Sequence, residues 1–384
     1  MSVLVKNMSA LQQDWPEPVV RVQSLSDSGI TEIPSRYVKP ISDRPSDVIT
    51  PSGCDGFFSE GVDSIPIVDL GVEDTSEVRD QVSRACRDWG FFQAVNHGVS
   101  PELMDRAREV WRQFFHLPME LKQPYSNSPR TYEGYGSRLG IEKGAILDWS
   151  DYYFLHYLPT CLKDFNKWPA LPASCREVIE EYGKQVVALA GRLMKILSAS
   201  LGLEEDFLQR EFGGDDIGAC LRVNFYPRCP QPDLTLGLSP HSDPGGMTLL
   251  LPDDHVPGLQ VRRNDRWITV KPARHAFIIN IGDQIQVLSN AIYKSVEHRV
   301  IVNSAEERVS LAFFYNPKSD ILIGPAKELV TPESPALYSP MTFDQYRLFI
   351  RMRGPGGKFQ VDSLMSPRPS GQSCGGRGSI FNVD

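Results

Sequence analysis

Hydrophobic residues recur at helical spacing through the first half of the chain. Apolar side chains return every third or fourth position over 78–89, 103–114 and 178–197. The second of these stretches follows Ser100 and Pro101, a pair typical of an N-cap and a first helical turn. The pattern predicts a mainly helical region with one short buried strand over 91–95.

After Gly213 the pattern changes to short apolar or alternating segments separated by Gly, Pro, Asp and Asn. The candidate strands are 219–226, 247–251, 257–262, 266–271, 275–281, 284–289, 294–303 and 308–315. Strands at this spacing predict an antiparallel sandwich or jelly roll. Thr342 and Gln345 then form a capping box that opens a last helix, which should run to about Arg353.

These changes of pattern divide the chain into five parts, and the predicted fold class is α+β. Residues 1–64 are a partly irregular leader, 65–212 a mainly helical region packed on the core, and 213–318 the jelly-roll core. Residues 319–365 form a C-terminal segment, and its helix is expected to close the substrate site, whose candidate residues follow below. The remaining residues, 366–384, are rich in Ser, Pro and Gly and are predicted to be a disordered tail.

Composition and charge exclude several classes of protein. The 384 residues carry a net charge of -8 and no basic block, so nucleic acid is not an expected partner. The longest apolar runs, such as 311–315, are far below the ~20 residues needed to span a bilayer. The seven cysteines are scattered without a CxxC pair, which indicates reduced thiols. Because the N-terminus has the pattern of neither a signal nor a transit peptide, we expect a cytoplasmic protein, with the nucleus as a second location. We expect the protein to be a monomer.

The strongest local feature is the sequence His241-Ser242-Asp243, which directly follows a predicted apolar strand. Residues two apart on a strand share a face, so His241 and Asp243 can point at one ion, and His298 can complete the group. Two imidazoles and one carboxylate hold Fe(II) on one side and leave three positions open for oxygen chemistry. The alternative is a solvent-facing turn plus a core histidine. The other histidines lack partners at useful spacing and are interpreted as structural: His97, His116, His156, His255 and His275.

Two predicted strands carry polar groups on one face and apolar groups on the other. Arg308 and Ser310 stand two apart, and Arg222, Asn224 and Tyr226 alternate with apolar residues in the same manner. An arginine offers a fork of donors for a carboxylate, and a hydroxyl adds another donor. A solvated outer sheet face is the alternative interpretation. A metal triad between these strands favours an enclosed polar lumen.

Two more arginines lie on the predicted last helix. Arg347 and Arg351 are i and i+4, so their side chains are neighbours, and like charges at this spacing are mildly unfavourable without an anion. A bound carboxylate would relieve the repulsion. Two solvated arginines on an amphipathic helix are the alternative.

Together the HxD motif, the distal histidine, the RxS motif and the preceding NFYP sequence resemble the plant Fe(II)- and 2-oxoglutarate-dependent dioxygenases. The resemblance extends from IPIVDL and WGFFQAVNHG, near residue 65, to about residue 353. It implies a double-stranded β-helix core, which is a cupin-like jelly roll, flanked by helices. It further implies that His241, Asp243 and His298 are the iron ligands.

The same resemblance implies a binding site for 2-oxoglutarate. Arg308, Ser310 and Tyr226 would hold its distal carboxylate, with Asn224 near its metal-chelating end. Oxygen would be the second cosubstrate and ascorbate a supporting reductant. Phe225 replaces a tyrosine that is common in this strand of the family, but its alternation places it away from the lumen, so we expect little consequence.

More narrowly, the segments DWPEPVVRVQSL, SNSPRTYEGYGSRLG, DWSDYYFLH, SPHSDPGGMTLLLPDD and MTFDQYRLFIR resemble the jasmonate-induced oxygenases. That resemblance implies hydroxylation of jasmonic acid at the end of its pentenyl side chain, which inactivates the hormone and down-regulates jasmonate signalling and defence. It implies that Arg222 and Arg347, with Arg351 beside them, meet the substrate carboxylate. Phe154 and Phe314 would line the apolar part of the site.

Two alternatives stay open at this point. The first is a flavonoid substrate, as in anthocyanidin synthase-like enzymes, although an uncharged aromatic substrate would not need three arginines around the lumen. The second is a non-catalytic jelly roll that retains a metal. The intact ligand set and RxS motif favour an enzyme, and oxygen consumption with iron and 2-oxoglutarate would separate the two.

Overall fold

Two β-sheets lie at the centre of the computed structural model, which describes residues 15–45, 64–71, 75–138, 140, 142–353 and 359–365. Of residues 351–353 and 359–360 only the backbone is described. The strands are β1 (Ile67–Asp69), β2 (Phe91–Val95), β3 (Gly134–Gly136), β4 (Asp151–Leu158), β5 (Gly218–Tyr226), β6 (Leu238–His241), β7 (Met247–Leu251), β8 (Leu259–Arg263), β9 (Arg266–Thr269), β10 (Phe277–Ile281), β11 (His298–Val300), β12 (Arg308–Asn316), β13 (Leu322–Ile323) and β14 (Met341–Thr342).

The larger sheet has eight strands in the order β1-β2-β10-β7-β12-β5-β4-β3, and the smaller has four in the order β6-β11-β8-β9. The helices are α1 (Val22–Asp27), α2 (Ser76–Asp88), α3 (Pro101–Phe115), α4 (Met119–Lys122), α5 (Cys175–Ser200), α6 (Phe207–Glu211), α7 (Asp283–Leu288), α8 (Phe343–Arg353) and α9 (Phe359–Asp362). Helices α3 and α5 pack against β12 of the larger sheet. The architecture is α+β, a cupin-like jelly roll flanked by helices.

Strands β5 and β12 pair antiparallel over their whole length and bring two polar faces side by side. Arg308 lies opposite Tyr226, and Ser310 lies opposite Asn224. Phe225, on the other face, stacks on Phe115 with ring centroids 4.7 Å apart, which confirms that it points away from the lumen. The rest of this apolar face is buried in the main core and consists of Leu221, Val223, Val309, Leu311, Phe313 and Tyr315.

The sequence signals for the starts of two helices are confirmed. The Ser100 side chain accepts a hydrogen bond from the Leu103 backbone N–H at 3.3 Å, with Pro101 as the first helical residue of α3. At α8 the capping box is reciprocal. The Thr342 N–H donates to Gln345 Oε1 at 3.1 Å, and the Gln345 N–H donates to Thr342 Oγ1 at 3.2 Å.

The strand prediction for 284–289 is wrong, because these residues form helix α7 (Asp283–Leu288). All six residues of α7 are buried, and Gln284 and Gln286 alternate with Ile285 and Val287, so the sequence shows the period of a strand. The sequence analysis also missed β1, β3 and β4, and it described the first half as mainly helical although β1 to β4 join the larger sheet. The apolar strand expected before His241-Ser242-Asp243 is present as β6. In β4 the burial alternates only in its second half, which hides the period of a strand.

Part of the leader is docked on the core. The backbone N–H groups of Val22 and Gln23, at the start of α1, donate to the two carboxylate oxygens of buried Asp151 at 3.0 and 2.9 Å. Tyr37 packs edge-on against Trp149, with ring centroids 5.2 Å apart. The predicted tail at 366–384 and leader residues 1–14 and 46–63 lie outside the described residues.

Among the described cysteines, none is joined to another by a disulfide bond. Cys86, Cys175, Cys220 and Cys229 are free and buried, and Cys161 is free and exposed. Among the helices in the described residues, none has the length and apolar character required to cross a membrane.

Candidate active site

Two histidines and one aspartate meet between strands of the smaller sheet. His241 ends β6 and His298 begins β11, and the two are direct partners in the antiparallel register. Asp243 follows two residues after His241, and its Oδ1 lies 3.5 Å from His241 Nε2 and 3.7 Å from His298 Nε2. The three ligand atoms lie within 4.8 Å of one another, and this is the one such group among the described residues.

Hydrogen bonds orient each of these side chains. The Nδ1 atoms of His241 and His298 lie 2.9 and 3.1 Å from the carbonyl oxygens of Ser239 and Val296. Donation from each Nδ1–H to its carbonyl directs the unprotonated Nε2 to the shared centre, which is the usual arrangement of a metal-bound histidine.

Asp243 is oriented by two residues that the sequence analysis missed. Its Oδ2 accepts hydrogen bonds from Asn280 Nδ2 at 2.7 Å and Thr248 Oγ1 at 2.5 Å, which leaves Oδ1 facing the imidazoles. Thr248 and Asn280 are the only polar residues of β7 and β10, which are otherwise apolar and largely buried. A single polar residue in such a strand is the signal that could have found them.

The electrostatics suit a metal. Burial favours the neutral acid, yet the neighbouring His298 and His241 imidazoles and the Thr248 hydroxyl hold the pKa of Asp243 well below its ordinary value. Burial, with the nearby His241, lowers the pKa of His298 to about 4. An ionised carboxylate and a neutral imidazole are the forms that bind a divalent ion. Two imidazoles and a carboxylate are the donor set of non-haem Fe(II) oxygenases, so the residues present fit Fe(II).

A buried arginine side chain lines the same cavity as the triad. Arg308 Nε donates to the Val256 carbonyl at 3.2 Å, and its Nη1 donates to Ser310 Oγ at 3.3 Å. The guanidinium carbon lies 5.2 Å from the centre of the Tyr226 ring. No carboxylate of the described residues forms an ion pair with Arg308, so the buried guanidinium is suited to an anionic ligand.

A second guanidinium is held by its inner nitrogen. Arg222 Nε donates to Asn224 Oδ1 at 2.7 Å, and the guanidinium carbon lies 4.1 Å from the centre of the Tyr152 ring. The Tyr152 hydroxyl donates to the Arg138 carbonyl at 3.1 Å and accepts from Asn127 Nδ2 at 2.7 Å. Within the described residues, the terminal nitrogens of Arg222 have no acceptor, so its fork is open to a ligand.

Helix α8 contributes Arg347, which is 35% exposed and lies 3.9 Å from Asp344 within the same helix. The Arg351 backbone belongs to this helix, but its side chain lies outside the described residues. Phe154 and Phe314 are half-buried. Arg351 is the one predicted site residue whose side chain is not described.

One cavity of about 340 Å³ joins these groups, which is within the usual size of a small-molecule site. Its wall includes the triad, the groups around Arg308 and Arg222, and one face of α8 formed by Phe343, Arg347 and Ile350. The predicted site residues that line it are His241, Asp243, His298, Arg308, Ser310, Tyr226, Asn224, Arg222, Arg347, Phe154 and Phe314. The sequence analysis did not foresee Tyr152, which also lines it.

Comparison with known proteins agrees with this arrangement. Residues 217–317 match the 2OG-Fe(II) oxygenase superfamily, and residues 65–171 match the family described as non-haem dioxygenase in morphine synthesis N-terminal. The chain is 66% identical to jasmonate-induced oxygenase 1 of Arabidopsis thaliana, over 95% of this chain and 90% of the relative. It is 42% identical to flavanone 3-dioxygenase 2 of Oryza sativa subsp. japonica, over 84% and 92% of the two chains.

A solved structure extends the likeness to three dimensions. The crystal structure of JOX2 in complex with 2OG, Fe and JA matches with a TM-score of 0.85 and 66% identity, over 92% of this chain and 100% of that one. The family model and these identities agree with the donor set of the triad. The chain belongs to the jasmonate-induced oxygenases, a branch of the Fe(II)- and 2-oxoglutarate-dependent dioxygenases.

Proposed function

We propose that this dioxygenase hydroxylates jasmonic acid at the end of its pentenyl side chain and so inactivates the hormone. The observation that carries the proposal is the open fork of Arg222, which has no acceptor among the described residues and faces the same cavity as the triad. A fork of donors in a half-enclosed cavity favours a carboxylate ligand. The high identity to jasmonate-induced oxygenases supports the same substrate.

His241, Asp243 and His298 hold the metal, and the carbonyls of Ser239 and Val296 keep both imidazoles in the orientation that binding requires. Fe(II), with 2-oxoglutarate and oxygen, supplies an oxidant that inserts one oxygen atom into a C–H bond while 2-oxoglutarate becomes succinate and carbon dioxide. No side chain has to act as a general base. The protein's part is to bind, to orient and to exclude water.

Arg308 and Ser310 bind the distal carboxylate of 2-oxoglutarate, with the Tyr226 ring beside them. The Val256 carbonyl holds Nε of Arg308 and so directs the terminal nitrogens to the lumen. Asn224 lies between this group and Arg222, where its Oδ1 accepts from Arg222. It is therefore placed to fix both the cosubstrate and the substrate arginine.

Arg222 and Arg347 both line the cavity and bind the carboxylate of jasmonic acid. Phe154 and Phe314 contact the ring and the side chain of the substrate. With the carboxylate fixed, the length of the molecule determines which carbon reaches the metal. The cavity then acts as a ruler, and position rather than intrinsic reactivity selects the hydroxylated carbon.

The flavonoid alternative is weaker on the same observation. An uncharged aromatic substrate would leave the Arg222 fork without an anion in a half-buried site. A flavonoid oxygenase such as flavanone 3-dioxygenase 2 is also a more distant relative, at 42% identity against 66% for jasmonate-induced oxygenase 1.

The experiment is mass analysis of products from a panel of jasmonic acid and flavonoids, with Fe(II), 2-oxoglutarate and ¹⁸O₂. The proposal expects a jasmonate product that carries one labelled hydroxyl at the end of its side chain. Faster oxidation of a flavonoid would replace this function by the flavonoid alternative. Absence of oxygen consumption with every substrate would favour a binding protein without turnover.

A further inference from the structure

A buried carboxylate outside the metal triad is in contact with two parts of the active site. Asp283, the first residue of α7, is fully buried, and its Oδ2 accepts a hydrogen bond from Tyr346 Oη at 2.6 Å. The same oxygen accepts from Ser242 Oγ at 3.3 Å. Ser242 stands between the metal ligands His241 and Asp243. Residues 241–245 are the metal-binding loop. One oxygen atom of Asp283 therefore joins this loop to helix α8.

The start of α7 is also bonded to that loop through the backbone. The Asp283 N–H donates to the Asp243 carbonyl at 2.8 Å, and the Gln284 N–H donates to the Gly245 carbonyl at 2.9 Å. A side chain at Gly282 would place its Cβ 2.3 Å from the Gly245 carbonyl oxygen, so the two segments touch closely. The loop and the start of α7 thus form one rigid unit, to which Tyr346 attaches.

Tyr346 connects this rigid unit to the part of helix α8 that lines the cavity. It is 1% exposed, whereas Arg347, the next residue, is half-buried and lines the cavity with Phe343 and Ile350. A buried hydrogen bond fixes its two partners in distance and direction. The position of Arg347 relative to the metal ligands therefore depends on the bond between Tyr346 and Asp283.

We propose that Asp283 and Tyr346 are positioning residues that hold the substrate arginine of α8 at a fixed distance from the metal-binding loop. This inference rests on the proposed function, because the distance that it fixes is the one between the arginine that binds the substrate carboxylate and the metal. The required property of Asp283 is an acceptor oxygen in this place. Its other oxygen, beside Ser295, makes no hydrogen bond of good geometry to a described residue.

Three variants separate this role from a general loss of stability. Tyr346→Phe removes the hydroxyl that reaches Asp283 and keeps the ring. Asp283→Asn keeps one acceptor oxygen for Tyr346 and Ser242. Tyr153→Phe is the matched control, because Tyr153 is equally buried and donates to the Lys167 carbonyl at 2.5 Å, in the main core and outside the cavity.

Tyr346→Phe should raise KM for jasmonic acid about tenfold and lower the ratio of hydroxylated product to succinate. Asp283→Asn should stay within about twofold of the wild type in both quantities, and so should Tyr153→Phe. A metal-binding isotherm with Mn²⁺ should be unchanged in Tyr346→Phe. Equal KM and equal product ratio in Tyr346→Phe and Tyr153→Phe would overturn the proposal.

Hydrogen exchange gives a readout that does not depend on the substrate. Tyr346→Phe should speed amide exchange over residues 343–350 about tenfold, while Tyr153→Phe and Asp283→Asn should leave these residues unchanged. If the wild type failed to hydroxylate jasmonic acid but this difference were observed, the proposed function would fall and the positioning bond would stand. Unchanged exchange in Tyr346→Phe would overturn the positioning bond alone.

Discussion

The metal ligands are each fixed by a second polar contact, which explains why their exact identity should matter. His298 is held by the Val296 carbonyl, and Asp243 by Thr248 and Asn280. Removing one imidazole leaves two ligands on an ion that needs three protein groups. The sequence could predict the triad because its residue types are specific. A lone polar residue in each of two apolar strands marked Thr248 and Asn280 as polar contacts, but their common partner Asp243 became evident only once folding had brought the strands together.

We predict that His298→Ala abolishes turnover and weakens Mn²⁺ binding by at least about tenfold, while the chain stays folded. His116→Ala is the control, because His116 is half-exposed and contacts Glu307 outside the site. Turnover and calorimetric metal titration measure the effect. Full activity of His298→Ala would remove His298 from the metal site.

The Arg308 site makes a separate prediction about the cosubstrate. Arg308→Lys loses the fork that contacts both the Val256 carbonyl and Ser310, so the half-saturating concentration of 2-oxoglutarate should rise about tenfold or more. Arg262→Lys is the control, since Arg262 forms a half-exposed pair with Glu297. Steady-state kinetics with 2-oxoglutarate varied measures both. An unchanged requirement in Arg308→Lys would mean that the carboxylate binds elsewhere.

At the scale of elements, a capping motif predicted secondary structure correctly, whereas a short segment without a cap did not. The capping box of Thr342 and Gln345 predicted the start of α8 correctly, because capping depends on residues three apart. The segment 284–289 misled, because polar Gln284 and Gln286 alternate with apolar Ile285 and Val287, which is the period of a strand. Its neighbours decide the outcome, through backbone bonds from Gly282 and Asp283 to the metal-binding loop.

We predict that Thr342→Ala lowers the stability of α8 by about 1 kcal/mol and raises KM for jasmonic acid, because α8 carries Arg347. Thr75→Ala removes the equivalent cap of α2, where Thr75 Oγ1 accepts from the Val78 N–H at 3.4 Å. Thr75→Ala should lower the free energy of unfolding by a similar amount, about 1 kcal/mol, and leave KM unchanged. Thermal unfolding and kinetics on both variants make the comparison. A KM that rises equally in both would contradict a specific role for α8.

At the scale of the whole molecule, the docked leader connects the N-terminal residues to the site. Asp151 receives the start of α1 and begins β4, whose next residue, Tyr152, supports Arg222. The sequence showed an irregular leader, but the burial of Asp151 depends on contacts more than a hundred residues apart. The five-part division, the cytoplasmic or nuclear location, the monomeric state and the lack of a nucleic-acid partner stay predictions.

We predict that Asp151→Asn lowers the free energy of unfolding by about 1–3 kcal/mol, because an amide has one acceptor oxygen for two backbone donors, those of Val22 and Gln23. Asp164→Asn is the control. Asp164 caps an exposed turn by accepting from the Asn166 N–H, and asparagine caps equally well. Urea unfolding measures both variants. Equal stability of the two would contradict the docked leader.

The most direct test of the proposed function is the ratio of kcat/KM for jasmonic acid to that for its methyl ester, measured in the wild type and in Arg222→Ala. Loss of one partner of a desolvated charge pair costs about 2–5 kcal/mol, or ~30-fold and more. The wild type should therefore prefer the acid by at least ~30-fold. The preference should largely disappear in Arg222→Ala, while decarboxylation of 2-oxoglutarate without substrate persists. Equal turnover of acid and ester by the wild type would contradict recognition of the carboxylate by Arg222 and Arg347.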